Sequence, residues 1–383
     1  MSLVTWTLVV VLWLSAFVVF YTFVGYAVLI TLLARFLHRP IRREQITPSV
    51  TLIISAYNEE AVMAEKLENC LRLDYPRDRL EMIVIADGST DRTCEIVCEF
   101  EEQNVKLLFQ QERRGKIAAM NRAAPFASGE VLVFSDADAM LEPQSIRMLV
   151  ANLADPKVAC VGGEKRIRKD ASVQAHGESA YWRYEAYLKR LDSSINTAIG
   201  AIGELFAIRR ELYRPMDDDL LIEDFVLTMQ LVAHGWRVVY EPGAITWEKA
   251  SPSLQGEWRR RVRIAAGGFQ AIGRLTDMLN PLRGLAAIQY ISHKVLRWLS
   301  PFFMIVVFAA NLGLLHLSLY RWLVVVQIVF YLLALLGLIL TRAGVRLWPL
   351  QIPFYFCFAN ATSLGGFWRY ATGSQPVTWA KAR

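Results

Sequence analysis

Cysteine is scarce in this sequence and follows no regular spacing. Its five cysteines show neither the paired spacing of a zinc site nor the density of a disulfide scaffold: Cys70, Cys94, Cys98, Cys160 and Cys357. Cys94 and Cys98 lie four residues apart on a predicted helix, but no second pair accompanies them. We therefore expect reduced cysteines that serve as packing residues, and no structural zinc site.

Charged residues are absent from the stretch between Trp6 and Leu33. A signal peptide would carry positive charge before such a run and a small-residue cleavage site after it, and the sequence has neither. Basic residues follow the run instead, at Arg35 and Arg39. Residues 1–37 are therefore predicted to form a transmembrane helix, with the following chain in the cytoplasm.

The C-terminal part of the chain is also apolar. Residues 251–296 are predicted to form interfacial amphipathic helices, including one at 281–294. Residues 297–370 are predicted to form a transmembrane region with spans at 298–319 and 322–340, joined by Tyr320 and Arg321. The pattern leaves open whether a third stretch, 347–368, crosses the membrane, because prolines and glycines interrupt it. Residues 371–383 form a basic tail.

The net charge of +6 does not indicate nucleic-acid binding, because the basic residues gather beside the apolar segments. They are Arg35, Arg39, Arg42 and Arg43 at one end, and Arg259, Arg260, Arg261 and Arg263 at the other. This placement fits an anionic membrane surface. We expect an integral protein of a bacterial-type inner (plasma) membrane with membrane lipids as partners and no nucleic acid.

Residues 48–250 are predicted to form a cytoplasmic domain in which strands and helices alternate. The expected strands are 50–55, 81–86, 105–109, the strand that ends at Asp136, 157–162 and 237–240, with a turn at 241–243. Two of the expected helices end near residues 71 and 103. The others occupy 115–127, 142–153, 173–191 and 220–233. Alternation at about 25 residues predicts right-handed crossovers and a mostly parallel sheet, an α/β fold.

Polar residues follow several of these strands. They are Tyr57, Asn58, Asp87, Asp91, Asp136 and Asp138. Ligands of such sheets bind beyond the carboxyl ends of the strands, so we expect these side chains to share a site. Asp136 and Asp138 project from the same side and repel one another unless a cation lies between them. Oxygen ligands suit Mg²⁺ or Mn²⁺, although a solvated turn is the alternative.

Two further segments have both structural and functional interpretations. The stretch from Asp87 to Asp91 can be interpreted as a helix cap or as a nucleoside contact, and one segment can serve both roles. Gly115 and Lys116 place a helix N-terminus and a point charge together, which suits a diphosphate. A solvated basic turn is the other interpretation of that segment.

The motifs resemble, in order and spacing, family 2 glycosyltransferases with the GT-A fold. They are Ser55-Ala56-Tyr57-Asn58-Glu59-Glu60, Asp87-Gly88-Ser89-Thr90-Asp91, Gly115-Lys116 with Asn121, Asp136-Ala137-Asp138 (a DxD motif) and Glu223-Asp224. With its flanking apolar segments, the chain resembles the membrane-bound branch that includes cellulose, chitin and hyaluronan synthases. The expected fold is therefore a GT-A Rossmann-like, mostly parallel sheet flanked by transmembrane and interfacial helices.

The resemblance implies a nucleotide-sugar donor, an inverting single displacement and a role for each motif. The implied donor-binding residues are Tyr57, Asn58, Glu59, Asp87, Lys116, Asp136, Arg260 and Arg263. Asp136 and Asp138 would bind Mg²⁺ or Mn²⁺. Gly203 and Glu223 would lie on the acceptor side, with Asp224 as the base that takes the acceptor proton.

Four positions depart from the pattern of the family. Ala86 stands where many relatives carry an additional acid, and Ile222 replaces the threonine of a Thr-Glu-Asp motif. Processive relatives carry Gln-x-x-Arg-Trp near residue 263, where this chain has Arg260 for the glutamine and Ile264 for the tryptophan. Loss of that tryptophan favours addition of one or a few sugars over long polymerisation.

We expect a metal-dependent hexosyltransferase that moves a sugar, from a UDP-sugar by preference, to a lipid-linked or polysaccharide acceptor at the cytoplasmic membrane face. Polysaccharide export proteins would be further partners. The alternatives are a processive synthase that secretes its polymer, a non-catalytic subunit of an assembly complex, and a nucleotidyltransferase. Sugar identity, linkage and oligomeric state stay open.

Overall fold

The computed structural model describes residues 2–168, 173–249, 253–345 and 347–378. Within these ranges eight strands form one sheet: β1 Val50–Ala56, β2 Leu80–Asp87, β3 Val105–Gln110, β4 Val131–Asp136, β5 Met140–Leu141, β6 Val158–Ile167, β7 Leu205–Arg209 and β8 Arg237–Glu248. Their order is β3-β2-β1-β4-β7-β6-β8-β5. Four of the seven pairings between the described strands are parallel.

Helices of the middle domain cover the sheet: α2 Glu60–Leu71, α3 Thr93–Cys98, α4 Lys116–Ala123, α5 Ser145–Ala151, α6 Val173–Ile195 and α7 Glu223–Ala233. Successive side chains of β1 enter two different apolar clusters, with Ile53 in one and Leu52 and Ile54 in the other. Alternate residues of a strand face opposite sides of a sheet, so both sides of β1 are buried. This explains why the strand is a continuous apolar run.

Longer helices lie outside this domain: α1 Leu3–Leu33, α8 Leu254–Arg274, α9 Leu285–Gly313, α10 Ser318–Arg342 and α11 Trp348–Ala371. Three of them, α1, α9 and α10, are long and apolar enough to cross a membrane. The interrupted C-terminal stretch forms the helix α11, which has Pro353 inside it. Helices α8 and α11 pack closely, since a Cβ on Gly366 would lie 2.5 Å from the Ala265 side chain.

The predicted GT-A-type α/β fold is confirmed, and the first four strands begin and end within two residues of their predicted positions. Strand β7 was not predicted, and it introduces antiparallel pairings with β4 and β6. The predicted turn at 241–243 is wrong because β8 continues to Glu248. An irregularity in the β6–β8 register between Gly162 and Glu164 accommodates this stretch.

Two predictions about the C-terminal region are also wrong. The stretch 281–294 is not a separate interfacial helix, because α9 runs without a break from Leu285 to Gly313 and contains a π-helical turn at Ile291–Val295. The connection between α9 and α10 lies at residues 314–317, so Tyr320 and Arg321 belong to α10. The tail residues Trp379, Lys381 and Arg383 lie outside the described residues.

Some basic residues that were predicted to face lipid contact the protein instead. Arg43 forms a 2.9 Å salt bridge with the buried Glu241, and Arg39 donates to Asn196 Oδ1 at 3.0 Å. Arg261 contacts Glu257 and lies 4.5 Å above the Tyr181 ring. These contacts connect the segments around the membrane helices to the α/β domain.

Candidate active site

The Lys116 ammonium joins the two predicted halves of the site. Lys116 is the first residue of α4, which begins after Gly115 at φ +98°, a conformation that favours glycine. Its Nζ lies 2.6 Å from Asp136 Oδ1 and 3.3 Å from Glu223 Oε1, and donates to the Gly203 carbonyl at 3.2 Å. Burial alone would lower the pKa of Lys116, but the nearby carboxylates raise it above its usual value. The amine therefore stays protonated.

Asp224 lies beside this ammonium in the first turn of α7. Burial and the neighbouring charge of Glu223 raise the pKa of Asp224 to about 7, while Lys116 opposes the shift. A Cβ on Gly203 would lie 3.3 Å from both Asp224 Oδ2 and Lys116 Nζ, so the absent side chain permits this close approach. A carboxylate with a pKa near neutrality is suited to accept a proton at the pH of a cell.

A third carboxylate joins the two predicted metal ligands. Oxygen atoms of Asp136, Asp138 and Glu248 all lie within 4.8 Å of one another. Glu248 ends β8 and also contacts the buried Lys165 ammonium at 2.6 Å, which in turn contacts Glu204 at 2.5 Å. Three carboxylates at this spacing fit a divalent cation such as Mg²⁺ or Mn²⁺. The sequence interpretation missed Glu248 because it ended the last strand at Tyr240.

Asp87 holds the loop that precedes Lys116. Its Oδ2 accepts hydrogen bonds from the backbone N–H groups of Arg114, at 3.1 Å, and Gly115, at 2.6 Å. Its Oδ1 has Arg122 Nη1 at 3.8 Å and no hydrogen-bond partner among the described residues. The buried Asp87 therefore positions the N-terminus of α4 and keeps one carboxylate oxygen for another contact.

The predicted residues after β1 lie in a network that joins the first two strand ends. The backbone N–H of Asn58 donates to Ser89 Oγ at 3.1 Å, and that of Glu59 donates to Thr93 Oγ1 at 2.8 Å. Asn58 itself adopts φ +52°, which asparagine tolerates better than most residues. The Arg113 guanidinium lies 3.5 Å from the centre of the Tyr57 ring. Arg113 thus covers the aromatic face that a base would use.

The two predicted arginines of α8 approach the site from the opposite side. Arg263 donates to the Leu221 carbonyl at 2.9 Å. Burial lowers the pKa of Arg263, against the influence of Glu223 and Asp224. Arg260 pairs with Glu257 of the same helix at 2.9 Å. Both arginines line the cavity that contains Asp224.

That cavity has a volume of about 720 Å³ and extends from the sheet to the apolar helices. Seven of the predicted site residues line it: Lys116, Asp136, Gly203, Glu223, Asp224, Arg260 and Arg263. Tyr57, Asn58, Glu59, Asp87 and Asp138 are not among its lining residues. The sequence interpretation missed Glu204, which follows Gly203 and was treated only as part of a glycine-rich segment.

Fold and site together define a GT-A glycosyltransferase. The sheet, the acidic pair after β4 and the lysine at the start of α4 match the expected architecture. The model of the family described as glycosyltransferase like family 2 matches residues 48–267, and the chain belongs to this family. It is therefore a glycosyltransferase of family 2.

Two relatives are similar in sequence over this region. A poly-beta-1,6-N-acetyl-D-glucosamine synthase of Staphylococcus aureus (strain COL) is 29% identical over 231 residues, which is 59% of this chain and 56% of that protein. The probable glycosyltransferase YdaM of Bacillus subtilis (strain 168) is 34% identical over 233 residues, covering 57% and 55% of the two chains. The chain thus spans about half the length of the curated relatives it matches.

A solved structure shares the fold over almost the whole chain. It is the mannosyltransferase PcManGT from Pyrobaculum calidifontis in complex with GDP-Man and Mn²⁺, with a TM-score of 0.73. The identity is 24%, and the match covers 95% of this chain and all of that chain. The fold similarity therefore includes the helices outside the α/β domain.

Proposed function

We propose that this protein transfers a sugar from a nucleotide-sugar to an acceptor hydroxyl in one inverting displacement. The observation that carries the proposal is the position of Lys116, whose ammonium contacts both Asp136 and Glu223 within one cavity. The donor half and the acceptor half of the predicted site are therefore adjacent. A single displacement needs this proximity, because the acceptor oxygen that the base deprotonates attacks the carbon from which the diphosphate departs.

Each charged group has a distinct role in this reaction. Asp224 accepts the proton of the acceptor hydroxyl, and its pKa of about 7 suits that transfer. Lys116 remains protonated and stabilises the negative charge that develops on the departing diphosphate. Arg263 and Arg260 supply further positive charge on the same cavity wall. No covalent intermediate is required.

Asp136, Asp138 and Glu248 would hold a divalent metal ion. When bound, Mg²⁺ or Mn²⁺ supplies positive charge to the diphosphate oxygens. The structural relative contains Mn²⁺ together with GDP-Man, which supports a divalent metal in this class of site. We place the metal-dependent donor step at these carboxylates and the proton transfer at Asp224.

We assign the donor as a UDP-sugar, with a GDP-sugar as the competing possibility because of the ligand in PcManGT. The acceptor is a lipid-linked or growing glycan at the cytoplasmic face of a bacterial-type inner membrane. The three helices long enough to cross a membrane, and the cavity that reaches two of them, α1 and α9, support this location. For the chain organisation we keep the predicted regions 1–37, 48–250, 251–296, 297–370 and 371–383, except that α9 crosses the boundary at residue 296.

A processive synthase is the second candidate. The cavity reaches α11, and one relative is named as a polysaccharide synthase, which both favour polymer synthesis. Against it, Ile264 lines the cavity where the resemblance places a tryptophan in processive enzymes. We therefore favour addition of one or a few sugars.

A donor screen scored by release of nucleoside diphosphate tests the proposal. Purified full-length protein is incubated with UDP- and GDP-sugars and either Mg²⁺ or Mn²⁺, and products are sized by mass spectrometry. We expect Asp136→Ala and Asp138→Ala to lose metal-dependent donor binding, whereas Asp224→Asn binds donor and fails to transfer. Equal donor binding by all three variants would contradict this division of roles.

A matched control uses an acidic residue away from the cavity. Asp74 pairs with Arg147 at 3.0 Å and does not line the cavity. Asp74→Asn should retain both donor binding and transfer. Release of pyrophosphate in place of nucleoside diphosphate would instead indicate a nucleotidyltransferase.

A further inference from the structure

The half of the cavity nearest the membrane helices contains a second group of charged residues. Two π-helical turns contribute to its walls: Tyr21–Gly25 of α1 carries Phe23, and Ile291–Val295 of α9 carries Lys294. Such turns widen a helix locally and occur frequently at functional sites. The two turns contact each other through the Tyr21 and Ser292 hydroxyls at 2.9 Å, and both contribute to the lining of this region.

Positive charge exceeds negative charge in this region. Lys294 and Arg297 both contact the carboxylate of Glu185, and Arg297 Nη1 lies 2.8 Å from Glu185 Oε2. Burial alone would raise the pKa of Glu185, but Lys294, His293 and Arg297 hold it well below its usual range. Glu185 is therefore a fixed carboxylate shared by two cations. Lys189, Lys294 and Arg297 line this part of the cavity with one carboxylate, Glu185, while the buried Asp192 contacts His293 at 2.6 Å and does not line it.

Arg297 uses only part of its hydrogen-bonding capacity. Its Nε and Nη2 are buried and have no hydrogen-bond partner within the described part of the chain. The same holds for the indole N–H of Trp182, which lines the same cavity. Each buried donor without a partner costs about 1–3 kcal/mol. A phosphate beside Arg297 would meet its free donors once the side chain turns toward the cavity, and a guanidinium pairs especially well with phosphate.

The cavity becomes apolar beyond these cations. Trp348, Ile352 and Phe356 lie at spacings of four residues on one face of α11 and line its wall. The Phe356 ring lies 4.8 Å from that of Phe23 on α1, a helix long enough to cross a membrane. The lining of this cavity therefore has a cationic part and a hydrocarbon-like part, which fits an amphiphile with an anionic head.

We propose that this region binds the phosphate of a lipid-linked acceptor. Arg297 and Lys294 hold the phosphate, and the α11 face contacts the hydrocarbon chain. The inference rests on the proposed function, because it places the acceptor on the membrane side of Asp224. Lys189 lines the same cavity and donates to the Ala201 carbonyl at 3.1 Å.

Binding to the full-length protein without donor tests the inference. Farnesyl phosphate, farnesol and inorganic phosphate are titrated into protein reconstituted in phosphatidylcholine nanodiscs, and heat is measured by calorimetry. Farnesyl phosphate is expected to bind at least ~10-fold more tightly than farnesol, because a charge-assisted hydrogen bond contributes that much. Arg297→Gln should remove this preference. Arg297→Lys should retain the ion pair with Glu185 but lose most of the preference.

Arg342→Gln provides the matched control. Arg342 belongs to α10 and lines a different apolar groove, so this variant should bind farnesyl phosphate like the unchanged protein. Equal affinity for farnesol and farnesyl phosphate would overturn the inference. So would inorganic phosphate binding as tightly as farnesyl phosphate, or an undiminished preference in both Arg297 variants.

Parallel transfer assays separate this inference from the proposed function. A protein that transfers sugar to a phosphate-free glycan but shows no preference for farnesyl phosphate would refute only the acceptor site. A protein that prefers farnesyl phosphate and uses no nucleotide-sugar would support the anion site and refute the proposed transfer.

Discussion

Replacing Asp224 by asparagine should make the donor-free protein more stable while it abolishes transfer. Folding raises the pKa of Asp224 from 3.8 to about 7, chiefly through burial and the charge of Glu223. A shift of this size corresponds to about 4 kcal/mol against the ionised form. Because Asp224 lines a cavity, solvent screening makes this value an upper limit. Asparagine removes the charge and should recover part of this free energy.

The sign of the pH dependence follows from the direction of the shift. The folded state binds the Asp224 proton more tightly than the unfolded state, so this contribution to stability is full below pH 4 and is lost as pH rises through about 7. Above pH 7 Asp224 is ionised in both the folded and the unfolded protein, and the folded protein is destabilised by the full free energy of burying this charge. The stabilisation by Asp224→Asn should therefore be largest at pH 8 and should decrease toward pH 4.

Thermal unfolding followed by tryptophan fluorescence, in detergent with EDTA and without donor, measures this effect. Asp78→Asn is the control, because the Asp78 side chain is 82% exposed and does not line the cavity. Initial rates of nucleoside diphosphate release should fall ~100- to 10,000-fold in Asp224→Asn. A lower melting temperature for Asp224→Asn at pH 8, or a gain that does not change with pH, would refute the reasoning.

Three further substitutions test separate parts of the site and fold. Gly203→Ala puts a Cβ 3.3 Å from Asp224 Oδ2 and Lys116 Nζ, so kcat/KM should fall ~10- to 100-fold with little loss of stability; an unchanged rate would contradict the close packing. Glu81→Gln should lower the free energy of unfolding by about 3 kcal/mol at pH 7 and by much less at pH 3. The reason is that hydrogen bonds to the Glu81 carboxylate outweigh its burial and lower its pKa to about 2. Denaturant titrations at both pH values measure this difference. Ile264→Trp should lengthen the products seen by mass spectrometry. Unchanged product lengths would show that residue 264 does not determine processivity.

The alternation of strands and helices was sufficient to predict strands β1 to β4, whose ends carry the predicted donor-binding aspartates. Asp87 and Asp136 lie at the same edge of the sheet, as predicted, because β1 pairs in parallel with both β2 and β4, although Asp87 does not line the cavity that contains Asp136. Parallel register carries the strand ends to the same edge, so a sequence pattern alone implies the meeting. Lys116 could be assigned in the same way, since a glycine precedes it at a helix start.

The remaining contributors to the site depend on pairings that local sequence does not encode. Glu248 reaches Asp136 and Asp138 because β8 continues past Pro242 and pairs with β5. A proline and a glycine in succession ordinarily indicate a turn, and here the register irregularity against β6 absorbs them instead. The pairing of β8 with distant strands outweighed the local turn signal. Glu248 was therefore not predicted as a candidate metal ligand.

The cavity beside the long apolar helices depends on contacts between distant parts of the chain. A hydrophobic pattern indicated a break near residue 297, yet α9 passes through that position and its π-helical turn carries Lys294. Lys294 and Arg297 lie three residues apart and therefore share a helix face, but no local pattern indicates that this face packs against Glu185. Their shared carboxylate comes from α6, more than 100 residues earlier in the chain. The charges that the proposed anionic acceptor would meet therefore arise from tertiary packing between the α/β domain and the long apolar helices.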